Sequence, residues 1–315
     1  MSIMNEQAWK ELQKIMVRPD PLGIFVNTMN CGSLVVDCGV HASGGVEAGL
    51  AMAKIGMAGL GSPHIVMASL DGIPWLYVDV QTDHPLAATL LCQAANWPVD
   101  FPGLRGMGSG PACLLNKELE VGKITAEAET VTHAVLILEA NALPDATACQ
   151  QLANACGVAP DHLAVMVAPT SSLAGSVQIA ARSVETVMHK LHQMNFDGSH
   201  VASGFGRCPV AMPTGDDLTA MGKTNDAVLF GCQVWLAIQG VEDAELSRVV
   251  ARIPSSTSSN YGESFLQTIK SAGGFYNIDP GLFAPAEITV TSLSTGKVFH
   301  SGGVDAARLI KALKD

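Results

Sequence analysis

Residues Val167–Met194 read VAPTSSLAGSVQIAARSVETVMHKLHQM, and the reading of this stretch decides the rest. The apolar run Leu163–Ala168 predicts a strand that breaks at Pro169. Thr170, Ser171 and Ser172 then place hydroxyls just before an apolar-periodic segment, where a side-chain oxygen accepts from the first unpaired N–H groups of a helix. Strand, polar turn and helix N-terminus in succession can hold a small anionic or polar ligand. One long helix is predicted past the turn. At ~100° per residue, Val177, Ala180, Ala181, Val184, Met188 and Leu191 share one side, which reads as buried. Gln178, Arg182, Glu185, His189 and His192 share another. Arg182 and Glu185 stand three apart, so their side chains can meet. Spacing alone favours a solvated ion pair, worth under ~1 kcal/mol, over a catalytic pair.

Around this stretch lie 315 residues, 48% hydrophobic and only 15% charged, enough for one large domain or two ordinary ones. The net charge of −11 gives no general attraction for phosphate backbones, so nucleic acid is not an expected partner. Sparse charge on so apolar a chain points to surface buried between subunits. None of the eight cysteines forms Cys-x-x-Cys and most sit in apolar runs, which predicts reduced thiols in a cytoplasmic protein. Residues 1–17 lack the basic start and apolar core of a signal peptide. No run of about 18 apolar residues offers a membrane span.

Strands and helices mix without strict alternation, which predicts an α/β chain (mixed α+β) of two units. No linker marks the boundary. It is placed within Leu143–Val158, giving an N-terminal unit 1–150 and a C-terminal unit 151–315 that carries the stretch above. His64–Ser69, Trp75–Val80 and His133–Glu139 read as strands, and Pro85–Asn96 as a buried helix. Val99–Pro111 reads as a Gly-rich loop, Val201–Pro213 as a second loop, and Ala227–Ile238 as a buried strand.

Several familiar motifs fail on spacing. Gly222-Lys223-Thr224 lacks the P-loop glycine, because position 217 is Asp. Gly106-x-Gly108 runs into Pro111 where a dinucleotide fingerprint needs Gly. His189-x-x-His192 has no third ligand nearby and reads as two solvated histidines rather than a zinc site. No Gly-x-Ser-x-Gly elbow occurs in a strand–turn–helix context. Residue chemistry alone stops at an enzyme or binding protein of unknown substrate.

Longer words carry further. GSGPA, VAPTSSLAGSVQI, ARSVE, AMGKTNDAVLFG and FAPAEI, within a likeness that runs in order from Asp37 to the C-terminal helix, resemble the methenyltetrahydromethanopterin cyclohydrolase family. The resemblance implies two α/β domains with a pocket between them and a cytoplasmic homotrimer. It implies a pterin substrate, and neither metal nor redox cofactor. The implied reaction joins 5,10-methenyltetrahydromethanopterin and water to 5-formyltetrahydromethanopterin in one-carbon metabolism. It also implies a catalytic pair, Glu185 as base and proton shuttle and Arg182 as its orienter. Ser109, Gly110, Thr170, Ser171, Ser172, Gln178, Lys223, Asn225, Asp226 and Glu287 become expected substrate contacts. For Lys223, Asn225, Asp226 and Glu287, capping and turn hydrogen bonds are an equally good reading. A catalytically silent pterin-binding homologue, or a hydrolase of a related amidine or formyl pterin, are the alternatives. Archaeal members carry Gln-Lys-Ala-Gly-Trp where this chain has Gln93-Ala94-Ala95-Asn96-Trp97, and Arg where it has Cys113. The loss of two basic residues suggests a less charged, dephosphorylated pterin.

Overall fold

The computed structural model describes residues 4–94, 97–121, 131–273 and 277–314. Its strands in chain order are β1 (Phe25–Thr28), β2 (Leu34–Asp37), β3 (Ser62–Leu70), β4 (Ile73–Thr82), β5 (Trp97–Phe101), β6 (Leu104–Ser109), β7 (Ala134–Ala140), β8 (Leu163–Ala168), β9 (Val201–Pro209), β10 (Gln233–Ile238), β11 (Glu287–Ser292) and β12 (Val298–Gly302). The α-helices among the described residues are α1 (Met4–Met16), α2 (Val46–Gly56), α3 (Ala146–Cys156), α4 (Leu173–Ala180), α5 (Ser183–Gln193), α6 (Asp217–Gly231), α7 (Asp243–Val250), α8 (Phe265–Ala272) and α9 (Ala306–Lys314).

Two units result, each built on one six-stranded sheet, so the mixed α/β expectation describes the chain. The units are not successive halves. The first comprises Met1–Gly61 and Ala87–Gln178, and the second Ser62–Leu86 and Ile179–Asp315. A division at 150/151 would cut α3, a single helix capped by Asp145 on the Ala148 N–H and closed by Gly157 at φ 67°. What interleaves the units is the β3–β4 hairpin. It pairs with β9, Val78 opposite Cys208, more than a hundred residues downstream.

In the first unit the order is β1-β2-β8-β7-β6-β5, with β2, β8 and β7 parallel. Apolar clusters cover both faces. Leu136, Leu138, Val165 and Val167 pack with Leu152 of α3 on one side. Val135, Ile137, Ala164 and Met166 pack with Leu12 of α1 and Met52 of α2 on the other. Burial on both faces makes these strands continuous apolar runs, and parallel strands are ordinarily buried this way.

In the second unit the order is β12-β11-β10-β9-β4-β3, and only β10 and β11 run parallel. Helices α5, α6 and α7 pack against this sheet, and α9 packs on α6. Its strands alternate instead. Val234, Leu236, Ile288 and Val290 are buried, whereas Trp235, Glu287 and Thr289 are exposed or half-buried.

Several expected elements are corrected. Val99–Pro111 is mostly hairpin β5–β6, not loop. Its glycines reflect crowding, since a Cβ at Gly106 would lie 2.4 Å from the Glu139 carbonyl oxygen. Val201–Pro209 is strand β9, where Gly204 and Gly206 admit α5. Ala227–Gly231 ends α6, and the strand begins only at Gln233. Leu86–Gln93 winds as a π-helix, a rare form often found near functional sites. Ala95 and Asn96, part of the expected helix, lie outside the described residues.

Candidate active site

The quoted stretch folds as strand, turn and two helices rather than strand, turn and one. Strand β8 ends at Ala168, and the Ser172 hydroxyl donates to the Pro169 carbonyl at 2.8 Å while accepting from the Gly175 N–H at 3.0 Å. This closes the turn and caps the first N–H groups of α4. Gly175 is obligatory here, because a Cβ would fall 1.9 Å from the Pro169 oxygen. Thr170, Ser171 and Ser172 are half-buried. The helix breaks at Ala181–Arg182, and Arg182 takes φ −89°, ψ 14° at the head of α5. Its carbonyl accepts both the Thr186 N–H and the Thr186 hydroxyl at 2.9 Å.

The apolar side is buried as expected. The polar side departs from a solvated stripe. Gln178 is 2% and Arg182 8% exposed, Glu185 and His189 are half-buried, and only His192 lies open. A guanidinium so enclosed is not a surface ion-pair partner. Glu185 stands in the first turn of α5, where the helix dipole favours a carboxylate. Close packing sets α5 on β9: a Cβ at Gly206 would lie 2.3 Å from the Ser183 hydroxyl oxygen. At the other end, the buried Lys190 ammonium donates to the Gly281 carbonyl at 2.7 Å, and burial pulls its pKa down.

The first unit gathers polar groups at the C-terminal ends of β2, β8 and β7. In open α/β sheets ligands bind at such ends. Asp37, last residue of β2, is 1% exposed. Burial pushes its carboxyl up, but N–H donors from Gly39, Val40, His41 and Ala42 at 2.7–3.0 Å outweigh that and hold its pKa below the usual range. Gly39 lies against the turn, its missing Cβ 2.8 Å from the Ser172 hydroxyl. Gln178 donates from Nε2 to Oε1 of Glu139, near the end of β7, at 2.9 Å. Ser109 closes β6 opposite Ile137, and Gly110 follows at φ 92°. Sequence reasoning missed Glu139. Its signal was a lone charge in the apolar run Ala134–Ala140.

The remaining expected contacts lie in the second unit with the Arg182–Glu185 pair. Lys223 is half-buried on α6. The Asn225 amide donates to the Met221 carbonyl of its own helix at 2.8 Å. Asp226 accepts the Phe265 N–H at 2.7 Å, tying α6 to the first residue of α8, and burial pushes its pKa up to about 7 against that hydrogen bond. Glu287 lies apart. Gln233 donates to it at 2.5 Å, and His300 Nε2 lies 2.8 Å from its other oxygen. Register puts Glu287, Gln233 and Arg207 on one face of the sheet, while α5 sits over Gly206 on the opposite face. The sheet therefore separates Glu287 from Arg182 and Glu185. On its own face Glu287 lines a shallow cavity with Phe205, Arg207, Gln233, Trp235 and Thr289. Among the described residues no three His, Cys, Asp or Glu side chains are grouped to share a metal ion. Nor is any helix there long and apolar enough to cross a membrane.

Comparison with known proteins supplies the context. A family profile described as Cyclohydrolase (MCH) matches residues 3–313. The chain is 38% identical to the methenyltetrahydromethanopterin cyclohydrolase of Methanosarcina barkeri, covering 96% of each chain. It is 37% identical to that of Methanothermobacter marburgensis, over 99% of each. With the bacterial protein of the same name from Rhodopirellula baltica it shares 39% identity over 87% of this chain and 84% of that one. The chain therefore belongs to the methenyltetrahydromethanopterin cyclohydrolase family.

Proposed function

We propose that this protein converts 5,10-methenyltetrahydromethanopterin and water to 5-formyltetrahydromethanopterin, and the reverse, with Glu185 as general base and Arg182 as its orienter. The observation that carries this reading is the buried guanidinium of Arg182 at the α4–α5 break, one turn before a half-buried Glu185. Family membership supports the substrate class.

The methenyl carbon belongs to a cationic amidinium and is already electrophilic, so what the reaction needs is a deprotonated water. The Glu185 carboxylate takes one proton as the water oxygen bonds to that carbon. The carbon–N10 bond then breaks, and its electron pair stays on N10. Of the two water protons, one ends on N10 by way of Glu185 and the other leaves to solvent. Nitrogen N5 keeps the formyl group. Arg182 holds the carboxylate in the orientation that the attacking water requires.

On this reading the protein works without a metal or redox cofactor, as a cytoplasmic homotrimer. Chelators leave its turnover unchanged. Replacement of the two basic family residues by Ala94 and Cys113 suggests preference for a dephosphorylated pterin; tighter binding of the phosphorylated form would contradict that part. The decisive variant is Glu185→Gln, which keeps shape and removes the base. A positioned base is worth roughly 10²–10⁴-fold in rate, so turnover falls by that order. Near-normal turnover would overturn the assignment, and a wild type that binds the pterin without hydrolysing it would favour a silent binding homologue.

A further inference from the structure

Two pairs of cysteine thiols stand in hydrogen-bonding contact, and neither enters the steps above. In the second unit Cys208, on β9, meets Cys232, the residue after α6. Both are buried, and the Cys208 thiol together with burial holds Cys232 well above the usual thiol range. Cysteines so enclosed behave as small apolar groups and are inert. In the first unit Cys31, in the turn between β1 and β2, meets Cys149, near the start of α3. Cys149 is buried, but Cys31 is half-buried, and it alone of the eight cysteines is not buried.

The turn that carries Cys31 is fixed in place. The Met29 N–H donates to the Ser33 carbonyl at 2.9 Å and the Gly32 N–H to the Met29 carbonyl at 2.8 Å. Gly32, at φ 95°, lies so close to the α3–β8 connection that a Cβ there would fall 2.7 Å from the Asp161 Cβ. The buried Ser33 hydroxyl donates to the Pro160 carbonyl of that connection at 2.6 Å. Cys31 Sγ in turn lies 3.4 Å from Ser33 Oγ, and the Cys149 thiol is within hydrogen-bonding reach of both. Cys31 also packs against the apolar cluster to which Cys149 belongs.

We propose that Cys31 and Cys149 form an oxidant-sensitive pair: a hydroperoxide oxidises Cys31 first, and Cys149 then closes a disulfide that ties the β1–β2 turn to α3. With hydrogen peroxide, the Cys31 thiolate attacks one oxygen and the O–O bond breaks. The sulfur becomes a sulfenic acid, and the second oxygen leaves as water. The Cys149 sulfur then attacks the Cys31 sulfur. The S–S bond forms, the S–O bond breaks, and the hydroxyl leaves as water with the Cys149 proton. Two thiols give up two electrons, and one hydrogen peroxide becomes two waters. Burial pushes Cys149 up to about 12, so it offers little thiolate for direct attack on peroxide. Contact with an oxidised Cys31 makes the second step intramolecular.

The test treats the reduced full-length protein with hydrogen peroxide. It is read by thiol titration after denaturation, by mass spectrometry of a non-reducing digest and by thermal unfolding. Wild type should lose two of its eight thiols and yield a linked Cys31–Cys149 peptide. A bridge across so long a loop should raise Tm by roughly 4–10 °C, and dithiothreitol should reverse both changes. Cys31→Ser should keep its remaining thiols, and Cys149→Ala should stop at a Cys31 sulfenic acid that dimedone traps. Oxidation of Cys31 in wild type without the linked peptide would overturn the proposal. So would no loss of thiols, or a Cys208–Cys232 bridge that forms first. A linked peptide without a rise in Tm would overturn the placement of the two thiols, because a bridge that distorts the fold stores strain. No substrate enters the measurement, so its outcome is independent of the proposed reaction.

Discussion

The two sheets have the same number of strands and opposite surroundings. In the first unit apolar clusters cover both faces, and polar groups are confined to the strand ends: Asp37, Glu139 and the turn after Ala168. In the second, helices pack against the sheet with α5 on the Gly206 face, and the opposite face carries Arg207, Gln233 and Glu287 half-buried and Trp235 exposed. A doubly covered sheet can place chemistry only at its ends. A singly covered one can also carry it on a face, but here that face is turned away from α5. The polar groups expected together from the sequence are thus divided by a sheet, and Arg182 and Glu185 owe their position to a helix seated on two glycines.

Substitutions can break or sharpen this contrast. The largest loss is expected from Leu136→Ala in β7, which opens a cavity in a strand walled on both sides. About 2–5 kcal/mol should appear as a lowered denaturant midpoint, and a loss under about 1 kcal/mol would mean that the double cover is not tight. Gly206→Val comes next. Its side chain must displace Ser183 or lift α5, costing about 1–3 kcal/mol and lowering kcat as well as stability. Unchanged kcat in that variant would detach α5 seating from catalysis.

A smaller, pH-dependent effect is expected at Asp226. Its folded pKa of about 7 lies above the ordinary carboxylate value of about 3.9. The folded state therefore holds this proton more tightly than the unfolded chain. The stabilisation is complete below pH ~4 and is lost as pH rises through about 7. Asp226→Asn keeps an acceptor for the Phe265 N–H and carries no charge. Its stability relative to wild type should rise between pH 5 and pH 8 by roughly 2–3 kcal/mol, and an equal difference at both values would contradict the burial argument. Thr289→Ala, on the open face, should stay within about 0.5 kcal/mol of wild type. A markedly larger loss would show that a partner subunit covers that face in solution.

The same contrast explains what was legible. Ala134–Ala140 and Leu163–Ala168 declare themselves as strands because every position but Glu139 is buried. Strand β9 reads as a loop because Gly204 and Gly206 are needed for a helix to approach, a demand visible only with α5 in place. The break at Ala181–Arg182 has neither Gly nor Pro to mark it, so periodicity ran straight through. Interleaving of the units was hidden because β4 and its partner β9 are far apart in sequence. Of the site, the Thr170–Ser172 turn could be read from helix-start chemistry, and Arg182 and Glu185 from their spacing together with the family likeness. That Arg182 is buried could not, since an arginine on a helix face is ordinarily solvated. Glu139 was hidden inside an apolar strand.

The account stands or falls on the methenyl absorbance of 5,10-methenyltetrahydromethanopterin, followed with wild type and with Glu185→Gln at equal concentration. Wild type should discharge it to the formyl product, and Glu185→Gln should do so roughly 10²–10⁴-fold more slowly while still binding the pterin. Equal rates for the two proteins would contradict the claim that the carboxylate at the head of α5 is the base.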